Sequence, residues 1–180
     1  MLKKKEVFMF KLGIIGTGSI SHEFIKAAHS TSDYQLAAVY SRTLASAERF
    51  VQNYENTAVY TEMLEFLSSD IDVVYIASPN SLHFKHAKVA ILARKHVIVE
   101  KPAVSRPKEW RELVKLADEH QVYLFEAARN YHEQAFDTIS DFLKDKTVLG
   151  ANFTYAKYSS KMQALLAGEQ PNVFSAKFSG

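Results

Sequence analysis

Residues 10–21, which read FKLGIIGTGSIS, decide the fold. The first six of them are mostly apolar and of strand length, and a turn of the pattern Gly-x-Gly-x-x-Ser follows. Beyond the turn, apolar residues recur at helical spacing and predict a helix with an inner face formed by Ile20, Phe24, Ala27 and Ala28. A strand that runs through a glycine turn into a helix is typical of the first unit of a parallel α/β sheet.

Further apolar runs of strand length alternate with amphipathic helical patterns along the chain. The predicted strands are residues 10–15, 35–40, 58–60, 73–77, 97–100 and 122–126. Most of them are nearly continuous Val, Ile, Leu, Ala and Tyr, which is typical of parallel strands covered on both faces. The alternation predicts an α/β fold with a doubly wound parallel sheet.

The pattern changes after residue 126. We expect a helix near 132–143 and then a strand at 151–158, where polar and apolar residues alternate as in a strand with one wet face. Such a strand needs a sheet, and an unpaired edge is an aggregation hazard. We therefore expect the 180 residues to be a truncated piece of a longer protein, with a natural short nucleotide-binding product as the alternative.

The composition excludes several classes of protein. There is no Cys, so disulfide scaffolds and Cys-ligated zinc are excluded. The 22 basic and 20 acidic residues are interspersed, which argues against nucleic-acid binding. The longest apolar runs are too short to span a bilayer, so we expect a cytoplasmic protein without membrane contact. His83 and His86 have the spacing of a metal pair, but no third ligand is evident and we expect no metal.

The glycine turn is a candidate phosphate-binding site. Gly16 permits the sharp turn, and Gly18 lets the backbone approach a pyrophosphate. Ser19 and Ile20 begin the helix, whose N–H groups and dipole would face the anion. Ser21 stands where the motif usually has Gly or Ala; it is small enough to be tolerated there, although it can loosen the packing of the helix on the sheet. The alternative is a glycine turn without a ligand.

The residues after the second strand indicate which dinucleotide is bound. NAD enzymes usually place an acidic residue there, against the ribose diol. Here Ser41 and Arg42 follow the strand, and a guanidinium suits a 2′-phosphate. The pattern predicts NADP(H) in preference to NAD(H). The alternative is that Arg42 is a solvated charge and that the acid lies elsewhere.

Two further segments carry a resemblance to a known family. Residues 72–83 read DVVYIASPNSLH and residues 95–102 read KHVIVEKP. Together with the glycine turn they resemble the Gfo/Idh/MocA family of nicotinamide-dependent oxidoreductases, over residues 11–180. The resemblance implies a Rossmann domain at 9–127 and the beginning of an α+β substrate and dimerisation domain at 128–180. It also implies hydride transfer between NADP(H) and a hydroxyl or ketone of a small-molecule substrate, namely a sugar, cyclitol or diol.

The resemblance also assigns roles by position. It matches Lys101 to the catalytic-site lysine, and a lysine ammonium can hydrogen-bond an alkoxide that develops as hydride leaves. The residues it places in the cofactor cleft, in addition to those of the glycine turn and the second strand, are Ser78, Pro79, Asn80, His83, Glu100 and Arg129. The non-functional alternatives are that Lys101 is a solvated loop charge, that Glu100 is a structural ion-pair partner and that Arg129 begins a helix linking the two domains.

One part of the family pattern is missing. The Asp-x-Gly motif that supplies the acid/base partner of the lysine does not occur in the 180 residues. The resemblance implies a homo-oligomer for the full-length form. Two other functions stay open on the sequence alone. One is a dinucleotide-binding or sensing module without catalysis, and the other is a Rossmann-like methyltransferase that shares only the glycine turn.

Overall fold

A computed structural model describes residues 9–156, 158–171, 174, 175 and 177. Within this part of the chain, six strands form one parallel sheet in the order β3-β2-β1-β4-β5-β6. They are β1 Phe10–Ile15, β2 Tyr34–Tyr40, β3 Ala58–Tyr60, β4 Val73–Ile76, β5 His96–Glu100 and β6 Leu124–Ala127. This is the doubly wound order, and the predicted fold class is confirmed.

Helices connect the strands. They are α1 Ser19–Ser30, α2 Leu44–Val51, α3 Met63–Ser68, α4 His83–Leu92 and α5 Pro107–His120, and beyond the sheet come α6 Gln134–Leu143 and α7 Met162–Leu166. Short 3₁₀ turns occupy Asn80–Leu82 and Arg129–His132. None of the described helices is long and apolar enough to cross a membrane.

The core has two layers because successive strand residues point to opposite faces of the sheet. On one face, β1 and β4 residues such as Leu12 and Tyr75 pack with Ile25 of α1 and Phe50 of α2. On the other face, the buried side chains come from the neighbouring strand positions and from helices α3 to α5, and include Ile15, Val74, Ile76, Phe66, Ile91 and Leu113. Apolar residues on both faces explain why these strands read as continuous apolar runs.

The predicted inner face of α1 is wrong in part. Ile20 is 39% exposed and Ala27 is exposed, whereas the buried residues are Ser21, Ile25 and Ala28. These three are spaced four and three residues apart, so they form one stripe of the helix. The stripe begins with a polar residue, which is why a search for apolar residues alone misplaced it.

The chain divides into two compact units after Ala127. In the second unit the predicted strand at 151–158 is wrong, because residues 151–156 and 158 form neither strand nor helix. A strand requires a hydrogen-bonded neighbour, and the described residues beyond Ala127 contain none. The predicted helix 132–143 starts two residues late, since the Arg129–His132 turn precedes it. The identity of this unit as the start of a substrate domain remains a prediction.

Candidate functional site

The turn between β1 and α1 can be made only with glycine at its first position. Gly16 has φ +109°, a conformation that side chains rarely adopt. A Cβ on Gly16 would lie 2.5 Å from the carbonyl oxygen of Ala77, which follows β4. The first glycine therefore lets β1 and β4 end side by side.

Gly18 has a different reason to be glycine. Its φ of −85° is ordinary, and within the described part of the chain no heavy atom lies within 4 Å of where its Cβ would be. It is the N-cap residue of α1, and no described side chain caps that helix. The first N–H groups of α1, at Ser19 and Ile20, therefore border open space, which fits a pyrophosphate group.

Ser21 tightens the turn. Its side chain is buried, and its Oγ donates a hydrogen bond of 2.7 Å to the carbonyl oxygen of Gly16. The serine fits this position, and its hydroxyl gains a partner inside the turn. Ser21, the first buried residue of α1, thus links the helix to the first residue of the glycine turn.

The carboxyl end of β2 carries the predicted adenosine-side residues. The backbone N–H of Ser41 donates to the carbonyl oxygen of Tyr60 at 3.0 Å, which fixes the strand end. Arg42 is exposed, and no ion pair joins it to any carboxylate of the described residues. Because the carboxyl ends of parallel strands meet at one edge, Arg42 lies on the same edge of the sheet as the glycine turn.

A small cavity beside the glycine turn was missed by sequence reasoning. It has a volume of about 150 Å³ and is lined by Thr17, His22, Ser46, Arg49 and Phe50. His22 is half-buried. Its ring stacks on Phe50 with 4.1 Å between ring centroids. The signal available in the sequence was the hydroxyl and guanidinium one turn apart at Ser46 and Arg49.

Ser78, Pro79 and Asn80 follow β4 and are half-buried at the same sheet edge. The loop that they form is next to the glycine turn, since the Cβ position of Gly16 lies only 3.1 Å from the backbone nitrogen of Ser78. The structure thus brings this loop and the turn together.

Glu100 and Lys101 lie at the end of β5, and Glu100 is held from two sides. The buried hydroxyl of Tyr75 donates to its Oε1 at 2.7 Å, and the backbone N–H of Lys101 donates to its Oε2 at 3.2 Å. Burial, followed by the hydrogen bond to Glu100, raises the pKa of Tyr75, so the phenol stays a donor. The Lys101 side chain is exposed.

The turn after Lys101 has a second carboxylate partner. Oε1 of Glu126, on β6, accepts a hydrogen bond of 2.8 Å from the backbone N–H of Ala103. Sequence reasoning missed both this contact and the Tyr75 hydroxyl. Neither could be found from the strand pattern, because both depend on which strands become neighbours.

His83 differs from the prediction that it contacts a cofactor in the cleft. It is only 1% exposed, and its two ring nitrogens lie 2.8 Å from the carbonyl oxygens of Ser78 and Pro102. A side chain so buried, with both polar atoms occupied by backbone, has no atom left to bind a ligand. The next turn of α4 brings Nδ1 of His86 to 2.9 Å from the Ser78 hydroxyl. Burial, together with the neighbouring Lys85 and His83, lowers the pKa of His86 to about 4.

Arg129 belongs to the second unit. It is exposed there, and its Nε lies 3.7 Å from Oε1 of Glu133, one helical turn along the chain. Its predicted place in the cofactor cleft stays a prediction. Across the described ranges, no three His, Asp or Glu side chains converge as metal ligands would.

Comparison with known proteins places the chain in a family. The model of the oxidoreductase family with an NAD-binding Rossmann fold, Gfo/Idh/MocA, matches residues 10–128. An uncharacterized oxidoreductase of Escherichia coli, YgjR, is 38% identical over 179 residues, which cover 95% of this chain and 53% of that protein. The scyllo-inositol 2-dehydrogenase (NADP(+)) IolU of Bacillus subtilis is 35% identical over 173 residues, with the same coverage. This chain therefore spans about half the length of these relatives.

The solved structures agree with the sequence relatives. The 3-ketoreductase KijD10 of Actinomadura kijaniata, crystallised with NADP and TDP-benzene, superimposes with a TM-score of 0.72 at 25% identity, over 76% of this chain and 42% of that one. IolU is thus named a dehydrogenase, and KijD10 is named a reductase. With its six-stranded sheet, glycine turn and matching family model, this chain belongs to the Gfo/Idh/MocA family of NAD-binding oxidoreductases.

Proposed function

We propose that this chain is the dinucleotide-binding part of an NADP(H)-dependent oxidoreductase that acts on a hydroxyl or ketone of a sugar, cyclitol or diol. The observation that carries the proposal is the open space at Gly18, bordered by the uncapped start of α1. Gly18, Ser19 and Ile20 would hold the pyrophosphate through backbone N–H groups. Gly16, whose N–H donates to the carbonyl oxygen of Tyr40, would shape the turn around it.

Lys101 is the residue that we assign to proton handling. When bound, the nicotinamide supplies the site that accepts or donates hydride. The ammonium of Lys101 hydrogen-bonds the substrate oxygen and stabilises the negative charge that develops on it. Glu100 fixes the backbone of Lys101 and is itself fixed by Tyr75, so the lysine begins from a rigid strand end. Ser78, Pro79 and Asn80 line the cleft beside the turn.

The preference for NADP(H) is supported by the end of β2. Ser41 and Arg42 stand where NAD enzymes usually have a carboxylate, and Arg42 has no competing ion pair among the described residues. The cavity lined by Ser46 and Arg49 adds a second guanidinium near the turn. IolU, which carries NADP(+) in its name, is among the relatives.

The substrate class is supported by the relatives. IolU is named for scyllo-inositol and KijD10 is a 3-ketoreductase crystallised with a TDP compound. We assign residues 128–180 to the beginning of the substrate domain, and we propose that the full-length enzyme is a cytoplasmic homo-oligomer with Arg129 in its cleft.

The test is a titration of the chain with NADPH and with NADH, in which binding is measured by the fluorescence of the nicotinamide. We expect binding of both and tighter binding of NADPH. Arg42→Ala should weaken NADPH more than NADH by about 1–3 kcal/mol, the range for a charge-assisted hydrogen bond. The matched control is Arg111→Ala, an exposed arginine on α5. Equal losses for both dinucleotides would remove Arg42 from the selector role, and no binding of either would refute the proposed function.

The catalytic part is tested in a full-length chain that contains these residues. We expect dinucleotide-dependent oxidation of scyllo-inositol or a related polyol, and its loss in Lys101→Ala with cofactor affinity retained. Cofactor binding without turnover on any polyol or sugar would instead favour a sensing module.

A further inference from the structure

His83 joins two loops that are separate in sequence. One ring nitrogen contacts the loop after β4, at the carbonyl oxygen of Ser78. The other contacts the loop after β5, at the carbonyl oxygen of Pro102. Both distances are 2.8 Å, and the side chain is 1% exposed. Water therefore cannot substitute for either contact.

The chemistry of the two partners restricts the state of the ring. A carbonyl oxygen only accepts hydrogen bonds, whereas a neutral imidazole has one N–H and one lone pair. A neutral ring could donate to one of the two oxygens, and its lone pair would then face the other at 2.8 Å. Leaving a buried acceptor without a donor costs stability, so the geometry favours a ring that donates from both nitrogens.

The elements next to His83 carry several titratable side chains. On α4 itself, Lys85 is exposed, and His86, whose pKa is lowered by burial, has Nδ1 at 2.9 Å from the Ser78 hydroxyl. The Lys101–Ala103 turn, to which Pro102 belongs, is bonded to two carboxylates, Glu100 through the Lys101 N–H and Glu126 through the Ala103 N–H. The turn that His83 contacts is therefore bordered by two carboxylates.

We propose that His83 carries a proton on both ring nitrogens and is the positioning residue that sets the Lys101–Pro102 turn against the Ser78–Asn80 loop. The consequence for cofactor binding rests on the proposed function. His83 touches neither cofactor nor substrate. It acts by holding the Ser78–Asn80 loop and the backbone of Lys101 and Pro102 in a fixed position relative to each other.

The first test reads the ring directly. Two-bond ¹H–¹⁵N correlation spectra of the labelled chain at pH 7 give both ring nitrogens, and His83 is assigned by the signal that is lost in His83→Gln. We expect both nitrogens to resonate as protonated. One nitrogen at the position of an unprotonated imidazole nitrogen would overturn the proposal. This measurement uses the unsubstituted chain, so it decides the question even if the variant does not fold.

The second test reads the consequence. Glutamine offers one donor group and one acceptor, so it cannot donate to both loops. We expect His83→Gln to weaken NADPH binding about tenfold, the effect of losing roughly one hydrogen bond. We also expect it to shift the ¹³C-methyl signal of reductively methylated Lys101, which is assigned with Lys101→Arg. The matched control is His132→Gln, an exposed histidine of the second unit, which should change neither readout.

The outcomes separate this inference from the proposed function. Unchanged NADPH affinity together with an unmoved Lys101 signal in a folded His83→Gln chain would overturn the positioning role. A doubly protonated His83 in a chain that binds neither NADPH nor NADH would support the inference and refute the proposed function. A lower melting temperature alone, with both readouts unchanged, would mark His83 as merely structural and overturn the proposal.

Discussion

Replacing the two glycines of the β1–α1 turn one at a time should separate folding from binding. In Gly16→Ala, the new Cβ lies 2.5 Å from the oxygen and 2.7 Å from the carbon of the Ala77 carbonyl, at φ +109°. The conformation costs about 1–3 kcal/mol for a non-glycine residue. Forcing β4 away from the turn costs about 1–3 kcal/mol more, as overpacking does. The expected loss is therefore about 2–6 kcal/mol.

That loss is large compared with the roughly 5–15 kcal/mol by which a domain is stable. In a chain of this size each kcal/mol lowers Tm by about 2–4 °C, so the melting temperature of Gly16→Ala should fall by roughly 5–20 °C. Thermal unfolding followed by circular dichroism measures it. NADPH binding, followed by fluorescence, should be lost as well.

Gly18→Ala is the matched control, because the same methyl group enters open space at an ordinary φ of −85°. We expect its Tm to lie within a few degrees of the unsubstituted chain, since a solvent-facing substitution changes stability by about 0.5 kcal/mol or less. Its NADPH affinity should nevertheless fall, because the methyl group occupies the space that we assign to the pyrophosphate. Unchanged NADPH affinity in Gly18→Ala, or an unchanged Tm in Gly16→Ala, would refute the reasoning.

Three further changes test the supports around the site. Tyr75→Phe should destabilise the fold by about 1–3 kcal/mol in urea unfolding, because Oε1 of Glu100 loses its buried donor. Glu126→Ala should cost about 1–3 kcal/mol, since the N–H of Ala103 loses its acceptor. The third change is a lower pH. The pKa of His86 is lower in the folded chain than in the unfolded chain, so as pH falls the unfolded chain takes up the His86 proton at a higher pH than the folded chain does. Stability should be full above about pH 6.5 and decline by about 1–3 kcal/mol as pH approaches 4.

Each of these changes has its own control. Tyr123→Phe removes a hydroxyl from a side chain that is 68% exposed and should leave the urea midpoint unchanged. Glu126→Gln keeps an acceptor oxygen and should recover most of the stability that Glu126→Ala loses. His86→Gln should flatten the pH profile between about 6.5 and 4. A profile as steep as before would assign the acid sensitivity to other groups.

The sheet could be predicted from the sequence because its strands are defined by local apolar runs. All six strands were placed within two residues of their observed ends. The glycine turn was equally predictable from its spacing after an apolar strand, although the Ala77 carbonyl that a side chain at Gly16 would meet lies 61 residues along the chain. The candidate residues at the ends of β2, β4 and β5 meet at one edge because parallel strands bring their carboxyl ends together.

The supports of the site could not be predicted in the same way. Apart from the local contact between His83 and Ser78, the hydrogen bonds of His83, Tyr75 and Glu126 join residues 19 to 25 positions apart, and they exist only once β4, β5 and β6 are adjacent. Residues 151–158 failed for a related reason. Their alternation is compatible with a strand, but a strand forms only with a neighbour, and alternation in the sequence carries no information on whether one is present.

A crystal structure of the chain with NADPH tests the central claim most directly. We expect the pyrophosphate at Gly18 against the N–H groups of Ser19 and Ile20, the 2′-phosphate beside Arg42, and the nicotinamide ring on the side of Lys101. Density for the dinucleotide at another surface, or a nicotinamide ring with the Lys101 amine turned away from it, would contradict the account.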